Sequence, residues 1–312
     1  TLVFPIIMLN LMLSGGSVGG AISGVIAQNL GANNRVEAER LSLHAIILSI
    51  GIGVILKFLF LFGGSWFYGV LGGKDVVLDQ ALKYSNMFFY GCVAVWLANV
   101  LSGIVRATGY MNVAAIGFVT LAVCQVFFSW VFIFGLGPFP KLGIAGAAIG
   151  IVIGHIFSII IYFYFLTFKC PELRLNLGKI PIQFQTILYL LKISALSSVS
   201  PITSIGSVIL ITAYVAFLGP EYLAGYGIGV RLEFILTPLI FGFGAAAITM
   251  IGINFGAQKY NRGLRIGWMG AGFSFIICGI IGGAISLFPD IWTDLFSKNE
   301  SVKLICKLYL QI

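Results

Sequence analysis

One carboxylate in this chain sits well inside an apolar segment, Glu233, with Arg231 two positions before it. Residues two apart on a helix do not face each other, so these two are not an intrahelical pair. At membrane depth each would need another partner or a water-filled cavity. Pro238, a turn and a half beyond, would free a backbone carbonyl and could kink the same helix. The remaining polar groups at comparable depth are neutral: Asn10, Gln28, Asn29, Asn86, Asn99, Gln125, Ser129, Thr203 and Ser204. Taken singly, such residues read as hydrogen-bonding glue between membrane helices. As candidates for lining a polar cleft we single out Arg231, Glu233, Gln125, Ser129, Thr203 and Ser204. Lys57 can snorkel to an interface, and His155 reads as a packed, hydrogen-bonded histidine rather than a proton relay.

This set suits the binding and release of a solute or an ion, not bond cleavage. A membrane-embedded hydrolase needs a nucleophile–base pair or a metal cluster. The two histidines, His44 and His155, stand apart with no H-E-x-x-H, and no aspartates pair at depth. The five cysteines show no C-x-x-C spacing, and no cofactor is implied. A channel would more often repeat a short filter loop, and none is present.

The elements that must position these residues are membrane helices. Hydrophobic residues make up 59% of the 312 and charged residues 9%, and the mean hydropathy is +1.06, values outside the range of a soluble domain. The net charge of +8 resides mostly in short loops between apolar runs, which reads as topology and not as a nucleic-acid footprint. Eight segments of about 20 apolar residues or more can be drawn. They lie near 3–30, 41–70, 80–105, 112–136, 143–168, 185–218, 223–255 and 265–296. The stretch C-P-E-L-R-L-N-L-G-K-I-P at 170–181 is the longest polar connection. It divides the chain into an amino-terminal lobe (1–169), a linker (170–184) and a carboxy-terminal lobe (185–312). Alternate loops carrying Arg35, Arg40, Arg106, Lys169, Arg174, Lys179, Lys259, Arg262 and Arg265 outweigh those with Lys74, Lys141 and Lys298. The first set, and with it the linker, is therefore expected to be cytoplasmic. The chain starts and ends inside apolar segments, and reads as an internal piece of a longer protein.

The chain also repeats itself. A shift of 225 residues (256 − 31) carries Gly19, Ala21, Asn29, Gly31, Arg40 and Tyr84 onto Gly244, Ala246, Asn254, Gly256, Arg265 and Tyr309. Six helices separate the copies, an even number, so both cross the bilayer in the same sense. Parallel duplicated bundles around a midplane cleft are a transporter architecture. Gly31 and Gly256 are placed as glycines that end their helices. G-L-G-P-F-P at 135–140 reads as a tight turn between helices, and I-Y-F-Y-F at 161–165 as an interfacial aromatic belt.

Five motifs in order span nearly the whole chain: A-Q-N-L-G-A-N-N (27–34), R-A-T-G-Y-M (106–111), F-I-F-G-L-G-P-F-P-K-L-G-I-A-G-A-A (132–148), Y-G-I-G-V-R-L-E (226–233) and I-N-F-G-A (253–257). With them the chain resembles the multidrug and toxic-compound extrusion (MATE) family of antiporters. The resemblance implies an all-α, two-lobed membrane bundle, of whose twelve helices this chain would hold the second to ninth and the start of the tenth. It implies export of a small organic, cationic or amphipathic compound in exchange for sodium ions or protons, in the lipid bilayer of the cell membrane, with no obligatory protein partner. A lipid or polysaccharide-precursor flippase of related architecture is the rival. Flippases of anionic lipids are expected to line the cleft with several basic residues, whereas Arg231 stands nearly alone at depth. Many family members carry an asparagine and, four residues on, an aspartate where Gln125 and Ser129 stand, and a glutamate where Ser204 stands. This chain thus departs from the family at the usual cation-binding carboxylates.

Overall fold

The computed structural model describes residues 3–70, 74–175 and 181–311. Lys179, one of the basic loop residues above, lies outside them. The described residues form helices and connecting turns, without strands. We label the helices α1 (Phe4–Gly31), α2 (Arg35–Val70), α3 (Asp75–Tyr90), α4 (Cys92–Ala107), α5 (Met111–Phe134) and α6 (Ile144–Lys169). Next come α7 (Phe184–Leu218), α8 (Pro220–Gly256), α9 (Tyr260–Leu287), α10 (Asp290–Thr293) and α11 (Glu300–Gln311). Among the described residues seven helices are long and apolar enough to cross a bilayer, and the bent pair α3–α4, counted as one span, brings the number to eight. This is an all-helical, multi-pass membrane protein.

Two of the expected spans differ in detail. The third is not one straight helix: α3 and α4 meet at a 51° bend. Gly91 stands at the joint, where any Cβ would overlap the Val152 side chain of α6, so the chain bends around its neighbour. The last span ends at Leu287 rather than 296. Pro289 biases the residue before it away from helix, and the chain resumes as the short α10.

Contacts divide the helices into two units. The first comprises Thr1–Pro201 and Ile248–Lys259, the second Ile202–Ala247 and Tyr260–Ile312. In lipid, helices gain little from hiding apolar surface from one another, so close packing of small residues must hold them. Within the first unit α6 presents Gly146, Gly150, Gly154, Ser158 and Tyr162, four residues apart, along one face. A Cβ on Gly150 would stand 2.6 Å from the Ser129 nitrogen and 2.8 Å from the Gln125 carbonyl of α5. One on Gly154 would stand 2.7 Å from the Leu121 carbonyl. Further along the same stripe Ser158 donates to the Gly117 carbonyl (2.8 Å) and Tyr162 to that of Ala114 (3.1 Å). Tyr162 is fully buried in this seam, so it leaves the aromatic belt to its exposed neighbours Phe163 and Tyr164.

The turn reading of G-L-G-P-F-P holds. Gly135 caps α5 in the left-handed region (φ 71°), its N–H returning to the Val131 carbonyl. His155 is buried and bonds the Ile151 carbonyl of its own helix (2.8 Å), and Lys57 rests over the Tyr90 ring at 5.4 Å.

Gly150→Val would drive a branched side chain into the α5 backbone, an overpacking cost of about 1–3 kcal/mol where neighbours can shift and more where backbone cannot. We expect reduced accumulation and a lower melting temperature in detergent. Gly279→Ala should change neither, since nothing lies within 4 Å of that position.

Candidate functional site

The repeated N-x-G-A segments end α1 and α8, and both ends are built alike. Asn29 donates its side-chain amide to the Val25 carbonyl (2.9 Å), and Asn254 to that of Met250 (2.7 Å). The Asn34 N–H closes on the Asn29 carbonyl at 2.9 Å, and the Lys259 N–H on that of Asn254 at 2.8 Å. The left-handed residues are Asn33 (φ 60°) and Gln258 (φ 58°), not the glycines. Gly31 and Gly256 are the last residues of their helices and serve a different purpose. A Cβ on Gly31 would overlap the Ile253 carbonyl, and one on Gly256 would overlap the Gln28 carbonyl. Shifting the first contact by 225 residues gives the second. Nearby, a Cβ on Gly252 would stand 2.8 Å from the Gly24 carbonyl, and the Ser23 and Thr249 hydroxyls lie 3.2 Å apart. So α1 and α8 cross backbone to backbone inside the first unit.

Further along α1 the helix widens to i→i+5 hydrogen bonding over Met12–Val18. Such segments open the backbone ladder and recur at functional positions. Asn99 of α4 donates to Ser14 within it (2.8 Å), and the Asn10 carbonyl oxygen accepts from the Trp96 indole (2.9 Å). Asn10 and Asn99 therefore tie α1 to α4, as interhelical glue.

The six cleft candidates occupy three places. Gln125 and Ser129 lie together on the α5–α6 seam, and the Ser129 hydroxyl donates to the Ala147 carbonyl (3.2 Å). Thr203 and Ser204 are exposed on α7, just past the buried Pro201. Arg231 and Glu233 lie on α8 and diverge. Arg231 is eleven residues past Pro220, about 16 Å along the helix at 1.5 Å per residue. Its guanidinium sits 5.2 Å from the centre of the Phe296 ring, in the segment after α10.

Glu233 is held differently, inside the second unit. Gly225, Gly229 and Glu233 are spaced by four on α8, and α11 lies against them. A Cβ on Gly225 would stand 2.8 Å from Ile305, and one on Gly229 would overlap the Tyr309 ring. The missing side chain lets that ring lie flat on α8, one turn from Glu233, and its hydroxyl donates to the carboxylate. Tyr226 meets the same ring edge-on at 5.3 Å. Among the described residues Glu233 makes no ion pair with lysine or arginine. The charges of α11 are spent elsewhere: Lys303 pairs with Asp294 at 2.8 Å and Lys307 with Asp290 at 2.5 Å. The hydrogen bond from Lys303 holds the Asp294 carboxyl below the usual range. Tyr309 was not among the cleft candidates. The sequence signal for it was present in the Tyr84–Tyr309 match of the repeat, but a repeat match does not say which residue an aromatic ring will meet.

Among the described residues no three histidine, cysteine or acidic side chains cluster as a metal site.

Comparison with known proteins agrees with this architecture. The MatE family model matches residues 1–131 and 192–312. A probable multidrug resistance protein NorM of Thermotoga maritima is 24% identical over 308 residues, 98% of this chain and 65% of its own length. The FAD transporter of Shewanella oneidensis is 22% identical over 307 residues, 96% of this chain and 66% of its own length. The chain thus spans about two thirds of the length of these relatives. Among solved structures, an outward-facing multidrug resistance transporter of the MOP superfamily superposes with a TM-score of 0.88 at 20% identity, covering 99% of this chain and 68% of that one. A MOP superfamily transporter from Pyrococcus furiosus, described as having reversed polarity in its binding pocket, gives 0.81 at 22%, covering 99% and 68%.

The α1–α8 crossing predicts a crosslink. With the native cysteines replaced, Ser23→Cys with Thr249→Cys should form a disulfide under mild oxidant, because the hydroxyls they replace are 3.2 Å apart. A protease site placed between the two helices reads the crosslink as fragments that stay joined on a non-reducing gel. Separation of those fragments would contradict the crossing.

Proposed function

Since the chain belongs to the MatE family, we propose that the protein is a secondary active exporter of small organic compounds, driven by exchange for sodium ions or protons. Residues 1–169 and 185–312 form its two lobes in this reading, joined by a cytoplasmic linker at 170–184. Access alternates between the two sides of the membrane around a midplane cleft.

The observation that carries the reading is the α1–α8 crossing. It brings the two copies of the repeat together at the ends that carry Arg35, Arg40, Arg262 and Arg265, the side expected to face the cytoplasm. Its contacts are glycine against backbone carbonyl with one hydroxyl pair, and the Ile248 side chain lies over Gly20 and Gly24. Parting such a surface exposes backbone carbonyls and hydroxyls that water can solvate. That suits a gate better than a permanent core.

For cargo we favour a cation or a cationic amphiphile. Glu233 lies well inside a span and pairs with no basic residue among those described, and Tyr226 and Tyr309 add aromatic faces beside it. Such groups attract organic cations. Gln125, Ser129, Thr203, Ser204 and Arg231 complete the proposed lining. The FAD transporter relative supplies the opposing case of an anionic cargo.

The test is uptake into inside-out vesicles bearing the full-length protein, under separate sodium and proton gradients, with a lipophilic cationic dye and with FAD. Cation uptake driven by one of the gradients is expected. Uptake of FAD alone would overturn the cargo assignment, and uptake indifferent to both gradients would overturn the exchange. Glu233→Gln should cut cation transport at least tenfold while the protein still accumulates. If Glu233 were a structural counter-ion, the same change would leave a buried charge unpaired, and protein would be lost instead. Oxidising the Ser23→Cys/Thr249→Cys pair should stop transport, and reductant should restore it.

A further inference from the structure

A segment that only tethers two moving lobes has no need of bonds to either. The described residues of 170–184 are bonded to the amino-terminal helices at both ends. Near its start Arg35 donates to the Pro171 carbonyl (3.5 Å), the Arg174 N–H donates to Glu39 (3.4 Å), and Leu173 and Leu175 are buried. At its far end the Gln183 N–H donates to Nε2 of His44 at 2.8 Å, and Arg40 donates to the Gln183 side chain at 3.1 Å.

The His44 contact is specific in its chemistry. The imidazole is fully buried in the first unit, with Nδ1 2.7 Å from the Arg40 carbonyl. A carbonyl can only accept, so the ring proton is on Nδ1 and the lone pair on Nε2 is left to accept from Gln183. Gln183 stands immediately before α7, and its own carbonyl accepts the Thr186 and Ile187 N–H groups at 3.2 and 3.3 Å. Its N–H is therefore one of the donors that a helix start leaves without an intrahelical partner. The ring of α2 caps α7 from outside. Below the cap Thr186, Leu190 and Ser194, spaced by four, are buried, so the first turns of α7 lie on the same unit.

We propose that His44 is a positioning residue: its neutral imidazole fastens the start of α7, and the connecting segment before it, to α2. The linker and the first turns of α7 then travel with the amino-terminal helices, and movement of α7 relative to them begins farther along it. The attachment stands on geometry alone; its bearing on transport rests on the export reading above.

Trypsin separates the two. Arg174 is exposed between two buried leucines, so cleavage after it reports how firmly the segment is held. In the intact transporter in inside-out vesicles, His44→Leu removes the acceptor and should speed this cleavage roughly tenfold, the effect of stranding one buried amide. Efflux of the cationic dye should fall in parallel. His44→Gln, whose amide oxygen reaches the Nε2 position, should restore both to within about threefold of wild type. Unchanged cleavage in His44→Leu, or a glutamine no better than leucine, would overturn the proposal. If His44→Leu does not accumulate, Gln183→Pro, which deletes the donor, is compared with Gln183→Ala, which keeps it. Equal cleavage in that pair would also overturn it, as would faster cleavage with undiminished efflux. A wild-type protein that moves no solute would refute the export reading, while the cleavage comparison would still decide the attachment.

Discussion

Much of this structure depends on how closely two helix backbones can approach in a solvent as apolar as their own side chains. Water drives a soluble bundle together, but lipid does not, so cohesion must come from contact itself. Three seams use the same device, a row of small residues four apart. Gly146, Gly150 and Gly154 admit α5, Gly225 and Gly229 admit α11, and Gly252 and Gly256 admit α1. In each seam a polar group lies beside or just beyond the glycines: Ser129 and Ser158 in the first, Glu233 in the second, Ser23 with Thr249 in the third. Close approach shortens the distance over which those groups must find partners.

That coupling of packing to polarity explains the environment of Glu233. A carboxylate on a lone membrane helix would be expelled or protonated. Here the Gly229 gap lets an aromatic ring from α11 lie against the backbone, and the ring delivers a hydroxyl. Arg231, which the sequence places closest, takes no part; its length lets it reach Phe296 instead. Two neighbours of opposite charge thus end in separate environments because helical geometry points them apart.

The fold was largely legible from the sequence because each apolar run of the required length has one way to satisfy its backbone in a bilayer. The bend at Gly91 was not, because its cause, Val152 of α6, lies sixty-one residues away (152 − 91). The repeat disclosed that Gly31 and Gly256 share a place at the ends of their helices, but not the crossing they form there, and Asn33 and Gln258 supply the left-handed turn. At the site, Glu233 announced itself by charge against an apolar background. Tyr309 and His44 did not, since a tyrosine or histidine near a helix end is unremarkable until its partner is known. Both gain their roles from residues 76 and 139 positions away.

The crossing of α1 and α8 has a further meaning. Gly31 meets residue 253 and Gly256 meets residue 28, and one shift of 225 exchanges the two contacts. A surface that touches its own duplicate in this reciprocal way is isologous, the kind of contact a symmetric dimer makes with itself. At this point each copy is the other's mould: a bulkier residue in one demands a retreat of backbone in the other. The crossing is where the duplication is still written as a physical constraint.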